Sequence, residues 1–150
     1  MIEITDQTQF KQALEALDPT RQRLVAARFV ENVLSLSDDP RIARAIATAA
    51  NANAGEAELA EALRSAKVAA IDSHTRCGAE CDWAESAGYF VARAAIAALS
   101  TKGKIPGGPA WQAAMSSRMA RTSESIATGK DVSQETALAQ YRILSEFLSS

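Results

Sequence analysis

The chain has 150 residues, of which 47% are hydrophobic and about a fifth are alanine, and its formal net charge is -2 at pH 7. This length suits one domain covering residues 1–150, which can bury roughly two thirds of the surface of its unfolded chain. The chain lacks the excess of Lys and Arg with which proteins neutralise phosphates, so we expect neither nucleic-acid binding nor binding to an anionic membrane.

Apolar runs and cysteine usage indicate a soluble, cytoplasmic protein. The longest apolar stretch, 87–99, is shorter than the ~20 residues of a membrane-spanning helix, and it contains Arg93. The first ten residues lack the basic start and apolar core of a secretion signal. The chain has only 2 cysteines, Cys77 and Cys81, so no disulfide framework is indicated and we expect reduced thiols.

Apolar residues recur at helical spacing along the chain, and strand-like alternation is hard to find. Helix start and stop signals predict an all-α bundle of about seven helices, built from antiparallel helix pairs. The predicted helices are 6–17, 19–36, 40–53, 56–76, 81–99, 110–128 and 133–148. Thr5 or Asp6 is expected to cap the first helix, and Ser133 the last.

Each predicted helix carries an apolar stripe for the core, and the fifth helix carries two. Because it is apolar on two sides, we expect the fifth helix at the centre of the bundle. The predicted stripes are Leu59, Ala62, Leu63, Ala66, Ala70 and Ile71 on the fourth helix; Trp83, Ala87, Phe90, Val91 and Ala94, with Gly88, Ala92, Ala95 and Leu99, on the fifth; Trp111, Met115, Met119, Thr122 and Ile126 on the sixth; and Leu138, Tyr141, Leu144 and Leu148 on the seventh.

One local cluster could carry chemistry: His74, Cys77, Cys81 and Glu85. If one helix continued through Gly78, these four would lie within about a quarter of its circumference. Zn²⁺ accepts imidazole, thiolate and carboxylate ligands, and Cu⁺ prefers sulfur. A second cysteine pair typical of structural zinc sites is absent, and so is the Cys-x-x-Cys spacing of dithiol enzymes. Three interpretations stay open: small buried residues, a metal site, and a redox pair.

Other candidate features have structural interpretations. The glycine- and proline-rich stretch 100–109 is expected to be a loop, since it lacks the spacing of a phosphate-binding P-loop. Of the acidic residues Glu31, Asp38 and Asp39, the last stands before Pro40 and is explained as a helix cap. Five arginines are predicted to form a solvated polar face, with a basic rim as the alternative: Arg21, Arg23, Arg28, Arg118 and Arg121.

The segment 28–34, followed by Asp38-Asp39-Pro40-Arg41 and Ala45-Ile46, resembles bacterial immunity proteins of the Imm-5-like group. These are alanine-rich helical domains in which a helix ending in Val-Leu leads through an acidic proline turn into the next helix. The similarity extends through 87–94 and the helix of Trp111, roughly two thirds of the chain. The resemblance implies a protein that binds and neutralises a toxin and that has no catalytic residues.

We therefore expect a non-enzymatic interaction protein without a cofactor, in which Tyr89 and Arg93 are candidate surface anchors. The alternative is a small metal- or redox-responsive helical domain that uses the His74 cluster. A homodimer is a third arrangement, because the small-residue side of the fifth helix could serve a subunit contact as well as an internal one.

Overall fold

The structure is a computed structural model that describes residues 3–77, 82–101 and 103–150, without the side chains of Arg76, Cys77 and Ser133. Within these ranges seven α-helices and one 3₁₀ turn occur and no strand does, which confirms the predicted all-α bundle. The helices are α1 (Gln7–Glu15), α2 (Pro19–Glu31), α3 (Pro40–Ala49), α4 (Glu56–Cys77), α5 (Trp83–Leu99), α6 (Pro109–Thr128) and α7 (Ser133–Ser149), and the 3₁₀ turn is Leu34–Leu36.

Aspartate caps define the starts of the first three helices. Asp6, Asp18 and Asp39 each accept a hydrogen bond from a backbone N–H of the first turn, at 2.8, 2.9 and 2.9 Å. Each bond satisfies an N–H group that has no partner inside its helix. Pro19 and Pro40 occupy the first helical positions, where the missing N–H costs nothing. The predicted cap at Asp6 is confirmed.

The second helix ends earlier than predicted, because a side chain of another helix donates a hydrogen bond to the backbone carbonyl at its C-terminal end. α2 stops at Glu31, and the chain turns through Leu34–Leu36 instead of continuing as one helix to residue 36. Arg121 of α6 donates Nη2–H to the carbonyl of Asn32 at 2.8 Å. The carbonyl at the end of α2 thus obtains its partner from a distant side chain, which local periodicity does not report.

The third helix is also shorter than predicted, and an arginine again accounts for its end. α3 stops at Ala49, whereas the sequence pattern extended to residue 53. Arg23 of α2 donates to the carbonyls of Ala49 and Asn51 at 3.0 and 2.8 Å. A cation at a helix C-terminus also interacts favourably with the helix dipole.

The other three of the five arginines, Arg21, Arg28 and Arg118, lie against aromatic rings, and of these only Arg28 is exposed as a solvated face requires. The guanidinium groups of Arg21 and Arg28 lie 4.9 and 5.0 Å from the ring centroid of Phe147. Arg118 lies 5.5 Å from the centroid of Phe10, and burial lowers its pKa. These contacts have the geometry of cation–π interactions, so the five arginines contribute to packing.

The fifth helix lies at the centre of the bundle, as predicted, and packs against α2, α3, α4, α6 and the 3₁₀ turn. Its buried residues are Ala87, Val91, Ala92, Ala94, Ala95, Ala97 and Ala98. Trp83, which was predicted on the apolar stripe, is the first residue of the helix and remains 49% exposed.

The predicted core stripe of the sixth helix is wrong over its C-terminal half. Met119 and Ile126 are 46% and 50% exposed, and Thr122 is exposed as well. The buried side of α6 consists of Pro109 and small residues instead: Ala110, Ala113, Ala114, Ser117, Ala120 and Ser123. Its most extensive contact among the described helices is with α5, whose buried face is also largely alanine. Because both faces carry small side chains, α5 and α6 can pack closely along their length. The larger residues of α6 therefore lie outward.

Three further sequence predictions differ from the structure. Ile71 is 65% exposed and Leu138 is exposed as well, because α4 and α7 bury other faces. The buried face of α4 is formed by Ala62, Ala66, Ala69 and Ala70. α7 begins at Ser133 itself, so its cap position is Val132, which makes no side-chain capping bond.

Among the described helices none combines the length and apolarity needed to cross a bilayer.

The stretch predicted as a loop does connect α5 to α6, with residue 102 outside the described part. Gly107 and Gly108 have φ values of +78° and +89°, in the region that favours glycine. A Cβ on Gly107 would overlap the indole ring of Trp111. The turn therefore requires glycine both for its backbone and for the close packing of this ring.

A fully buried glutamine connects three helices. Gln22 of α2 donates Nε2–H to the carbonyl of Leu14 in α1. Its Oε1 accepts a hydrogen bond from the backbone N–H of Ala110 in α6 at 3.0 Å. Both amide atoms are thus satisfied inside the core, so Gln22 fixes the first two helices relative to the start of the sixth.

We expect Gln22→Leu to lower the free energy of unfolding by about 2 kcal/mol, because the buried N–H of Ala110 would lose its acceptor and the carbonyl of Leu14 would lose one of its donors. Urea denaturation followed by circular dichroism measures the change. Gln12→Leu, at an exposed position of α1, is the control and should remain within about 0.5 kcal/mol of the wild type. Equal effects of the two substitutions would contradict the role of Gln22.

The small-residue face of α6 gives a second prediction. Ala113→Leu should destabilise the protein by about 1–3 kcal/mol, since the added methyl groups have no space in a close-packed contact. Ile126→Ala should change the stability by less than about 0.5 kcal/mol, because its side chain is half exposed. If Ile126 belonged to the core, the loss would instead be about 2–5 kcal/mol. Thermal or urea unfolding of both variants distinguishes these outcomes.

Candidate functional site

A cleft of about 290 Å³ opens between the 3₁₀ turn, the start of α3, the second half of α4 and the first half of α5. Its lining includes the buried residues Ile42, Ala69 and Ala92, which form an apolar floor. Four carboxylates line the same cleft: Asp38, Asp39, Asp82 and Glu85. The cleft therefore combines an apolar floor with an acidic rim.

Local sequence features place one wall of the cleft beside α5. The backbone N–H of Asp39 donates to Ser37 Oγ at 3.2 Å, which holds the acidic turn before α3. Gly88 of α5 faces the 3₁₀ turn: a Cβ at this position would lie 3.6 Å from the carbonyl oxygen of Leu36. The small-residue side of α5 is therefore used inside the chain, because Ala92 and Ala95 are also buried.

Two of the four carboxylates have structural partners. Asp39 caps α3, and its carboxylate lies 2.8 Å from Arg41, which also reaches Asp72 of α4 at 2.8 Å. The hydrogen bonds that Arg41 donates to these two aspartates, that to Asp39 first, raise the pKa of Arg41. Asp82 caps α5 by accepting the backbone N–H of Glu85 at 2.8 Å. Asp39 and Asp82 thus fix the two helix starts at the cleft.

The other two carboxylates, Asp38 and Glu85, cap no helix; like Asp82 they are exposed, and they lie on different walls. Asp38 belongs to the turn before α3, and the side chain of Glu85 belongs to the first turn of α5. The hydroxyls of Ser35, Ser37 and Ser73 also line the cleft. With four carboxylates and one guanidinium close by, the rim is net negative and favours a cationic group over an anionic one.

The predicted His74 cluster does not lie on a single helix. α4 ends at Cys77 and α5 begins at Trp83, so His74 and Glu85 belong to different helices. The two helices are separate, as the predicted ranges 56–76 and 81–99 had them, so the condition of one continuous helix, on which the shared face of the cluster depended, is not met; Gly78 itself lies outside the described residues. Cys81 and the side chain of Cys77 are also outside them, so the metal site and the redox pair stay predictions. In the part of the chain that is described, no group of three His, Cys, Asp or Glu side chains is placed to hold a metal ion.

The histidine instead belongs to a group beside the cleft, which we name the Tyr89 surface: Ile71, His74, Tyr89 and Arg93. The ring centroids of His74 and Tyr89 are 5.4 Å apart. Arg93 donates Nη1–H to the hydroxyl of Tyr89 at 2.9 Å, and Ile71 lies one turn before His74 on α4. The two anchors predicted from the sequence, Tyr89 and Arg93, are therefore in contact with each other.

The cleft and the Tyr89 surface both draw residues from α4 and α5. Ser73 and Gly88 line the cleft, and the residues that follow them, His74 and Tyr89, belong to the Tyr89 surface. Sequence reasoning noted Asp38 and Asp39 but did not place Asp82 and Glu85 opposite them. Asp39 directly precedes the predicted third helix, which is a local signal, whereas Asp82 fell inside the predicted fifth helix, 81–99, and was therefore not recognised as a cap.

Comparisons of the chain with protein-family models, with curated proteins and with solved structures give no match. A functional interpretation must therefore start from the cleft and the Tyr89 surface.

The division between structural and exposed carboxylates is testable by stability measurements. Asp39→Ala should lower the free energy of unfolding by about 1–2 kcal/mol, because α3 loses its cap and Arg41 loses a partner. Asp38→Ala, one residue earlier and exposed, should remain within about 0.5 kcal/mol of the wild type. Urea unfolding at neutral pH measures both values, and a larger loss for Asp38→Ala would refute the assignment.

Proposed function

We propose that this protein is a non-enzymatic interaction protein of the bacterial cytoplasm that binds a basic protein partner through the acidic cleft. In its specific form, the proposal is that of an immunity protein that neutralises a toxin by binding it. The observation that carries the proposal is the cleft itself, a concave site with a buried apolar floor and, among its exposed carboxylates, two that cap no helix, Asp38 and Glu85.

The arrangement of the carboxylates supports binding more than catalysis. Asp39 and Asp82 are engaged as helix caps, and Asp38 and Glu85 are exposed to solvent. Catalytic carboxylates typically have environments that separate their proton affinities and hold them against the reacting atoms. Exposed charges on a rim instead act at longer range, steering a partner of opposite charge and fixing its orientation.

The Tyr89 surface supports a protein as the partner. Tyrosine and arginine are enriched among the residues that contribute most to protein–protein binding. Tyr89 is half-buried and bonded to Arg93, so its ring is held in place before a partner binds. Ile71 adds apolar area on the same surface. A partner that reached the cleft would therefore meet an ordered aromatic contact beside it.

The resemblance to immunity proteins coincides with one wall of the cleft. The acidic proline turn, residues 38–41, is part of the segment that carries this resemblance. Asp38 and Asp39 from this turn line the cleft, and Arg41 pairs with Asp39. The family role, which is binding without catalysis, and the chemistry of the cleft thus support the same interpretation.

A selection experiment tests the proposal with a matched control. The wild type and the variant Asp38→Asn/Glu85→Gln are each used to select displayed genome fragments of the encoding bacterium. Glu3→Gln/Glu146→Gln removes the same charge at exposed positions outside the cleft and serves as the control. We expect wild type and control to select a common basic fragment, with affinity at least about tenfold lower for the cleft variant.

The selected fragment then decides between the general and the specific form. If its parent protein stops growth on expression and co-expression of the wild type restores growth, the immunity role holds. Unchanged binding of the fragment to the cleft variant would refute the proposed site. Turnover of a substrate by the wild type that is lost in the cleft variant would refute the non-enzymatic interpretation.

A further inference from the structure

We infer that the cleft receives the side chain of one arginine from the partner, with its alkyl chain on the apolar floor and its guanidinium at the acidic rim. This inference rests on the proposed function, because it specifies the chemistry of the partner at the same cleft.

The floor of the cleft suits an alkyl chain. Ile42, Ala69 and Ala92 are buried and apolar, and Gly88, which also lines the cleft, adds no side chain to it. A small inorganic cation would gain nothing from this apolar surface. Arginine and lysine carry three or four methylene groups behind the charge, and such chains pack on apolar surface while the charged end stays at the edge.

The rim favours arginine over lysine. Asp38 and Glu85 belong to two different walls, and the hydroxyl of Ser73 comes from a third element, α4. A guanidinium has five N–H donors in a planar arrangement, so it can donate to groups on several sides at once. An ammonium has three donors around one nitrogen and acts mainly as a point charge.

The protein already uses this type of contact beside the cleft. The guanidinium of Arg41 lies 2.8 Å from Asp39 and 2.8 Å from Asp72, which belong to different segments of the chain. Arg41 is therefore engaged with its own aspartates. A second guanidinium, from a partner, would find the exposed carboxylates of Asp38 and Glu85.

The N-termini of α3 and α5 at the cleft do not reverse the preference of the acidic rim for a cationic group. α3 and α5 both begin at the cleft, and a helix N-terminus by itself attracts anions. Here each N-terminus already has its own carboxylate, because Asp39 and Asp82 accept first-turn N–H groups at 2.9 and 2.8 Å. These carboxylates thus compensate the partial positive charge of the two helix N-termini. The carboxylates of Asp38 and Glu85 then make the net charge of the rim negative.

Nuclear magnetic resonance titration of the full chain tests the inference. Three peptides that differ only at their central residue, arginine, lysine or citrulline, are added to the ¹⁵N-labelled protein. Citrulline has nearly the shape of arginine without its charge. We expect the arginine peptide to shift the amide signals of Ile42, Ala69, Gly88 and Ala92. Its affinity should exceed that of the citrulline peptide at least about tenfold and that of the lysine peptide about threefold.

The same titration with two variants locates the contact. Asp38→Asn/Glu85→Gln should weaken the arginine peptide at least about tenfold, while Glu3→Gln/Glu146→Gln should leave its affinity unchanged. Unfolding measured on each sample confirms that the variants remain folded. Equal affinity for the arginine and citrulline peptides, or shifts only outside the cleft, would overturn the inference. Displacement of the arginine peptide by an equal concentration of spermidine would also overturn it, since a free polyamine would then be the better ligand.

The outcomes separate this inference from the proposed function. If the peptide fails to bind but binding of the selected protein fragment still depends on Asp38 and Glu85, the inference of an arginine ligand is wrong and the proposed interaction role stands. If the arginine peptide binds as expected but no fragment is selected, the chemistry of the cleft stands and the proposed partner class fails.

Discussion

The close packing of α5 against α6 through small side chains is the constraint on which the rest of the structure depends. Both buried faces consist largely of alanine, and this contact is the most extensive between any two described helices. A central helix whose buried residues are nearly all alanine can be approached closely from several directions at once. The 3₁₀ turn therefore reaches Gly88, and α3 and α4 pack on the same helix. The cleft lies where these elements meet, so its floor depends on the packing of the core.

Polar side chains hold the elements around that core. Gln22 joins α1, α2 and α6 through two buried hydrogen bonds, and Arg23 and Arg121 satisfy the ends of α3 and α2. Aspartates fix the helix starts at the cleft in the same way. Because caps and buried amides are expensive to leave unpaired, these contacts specify one arrangement of the helices. The exposed carboxylates at the rim are consequently presented on a rigid frame, which favours binding by a preformed surface.

The sequence predicted the helices and several caps, but it predicted the buried face of α6 incorrectly. Asp6 was recognised as a cap because capping is a local interaction. Met119 and Ile126 dominate the apolar periodicity of their helix, yet a partner helix faced with alanine buries its small residues instead. The ends of α2 and α3 depend on arginines from other helices, and the cleft brings residues 38 and 85, which are far apart in the sequence, to the walls of one pocket. Such long-range contacts leave no signal in local spacing.

The central claim is that a cationic group of a partner contacts the acidic cleft. The most direct test is a double-mutant cycle between Glu85 and the arginine of the selected fragment that binds at the cleft. Calorimetry would provide the four affinities at one ionic strength. The account predicts a coupling energy of at least about 1.5 kcal/mol, as found for close charge pairs across interfaces. A coupling energy near zero, with both single substitutions weakening binding independently, would contradict it.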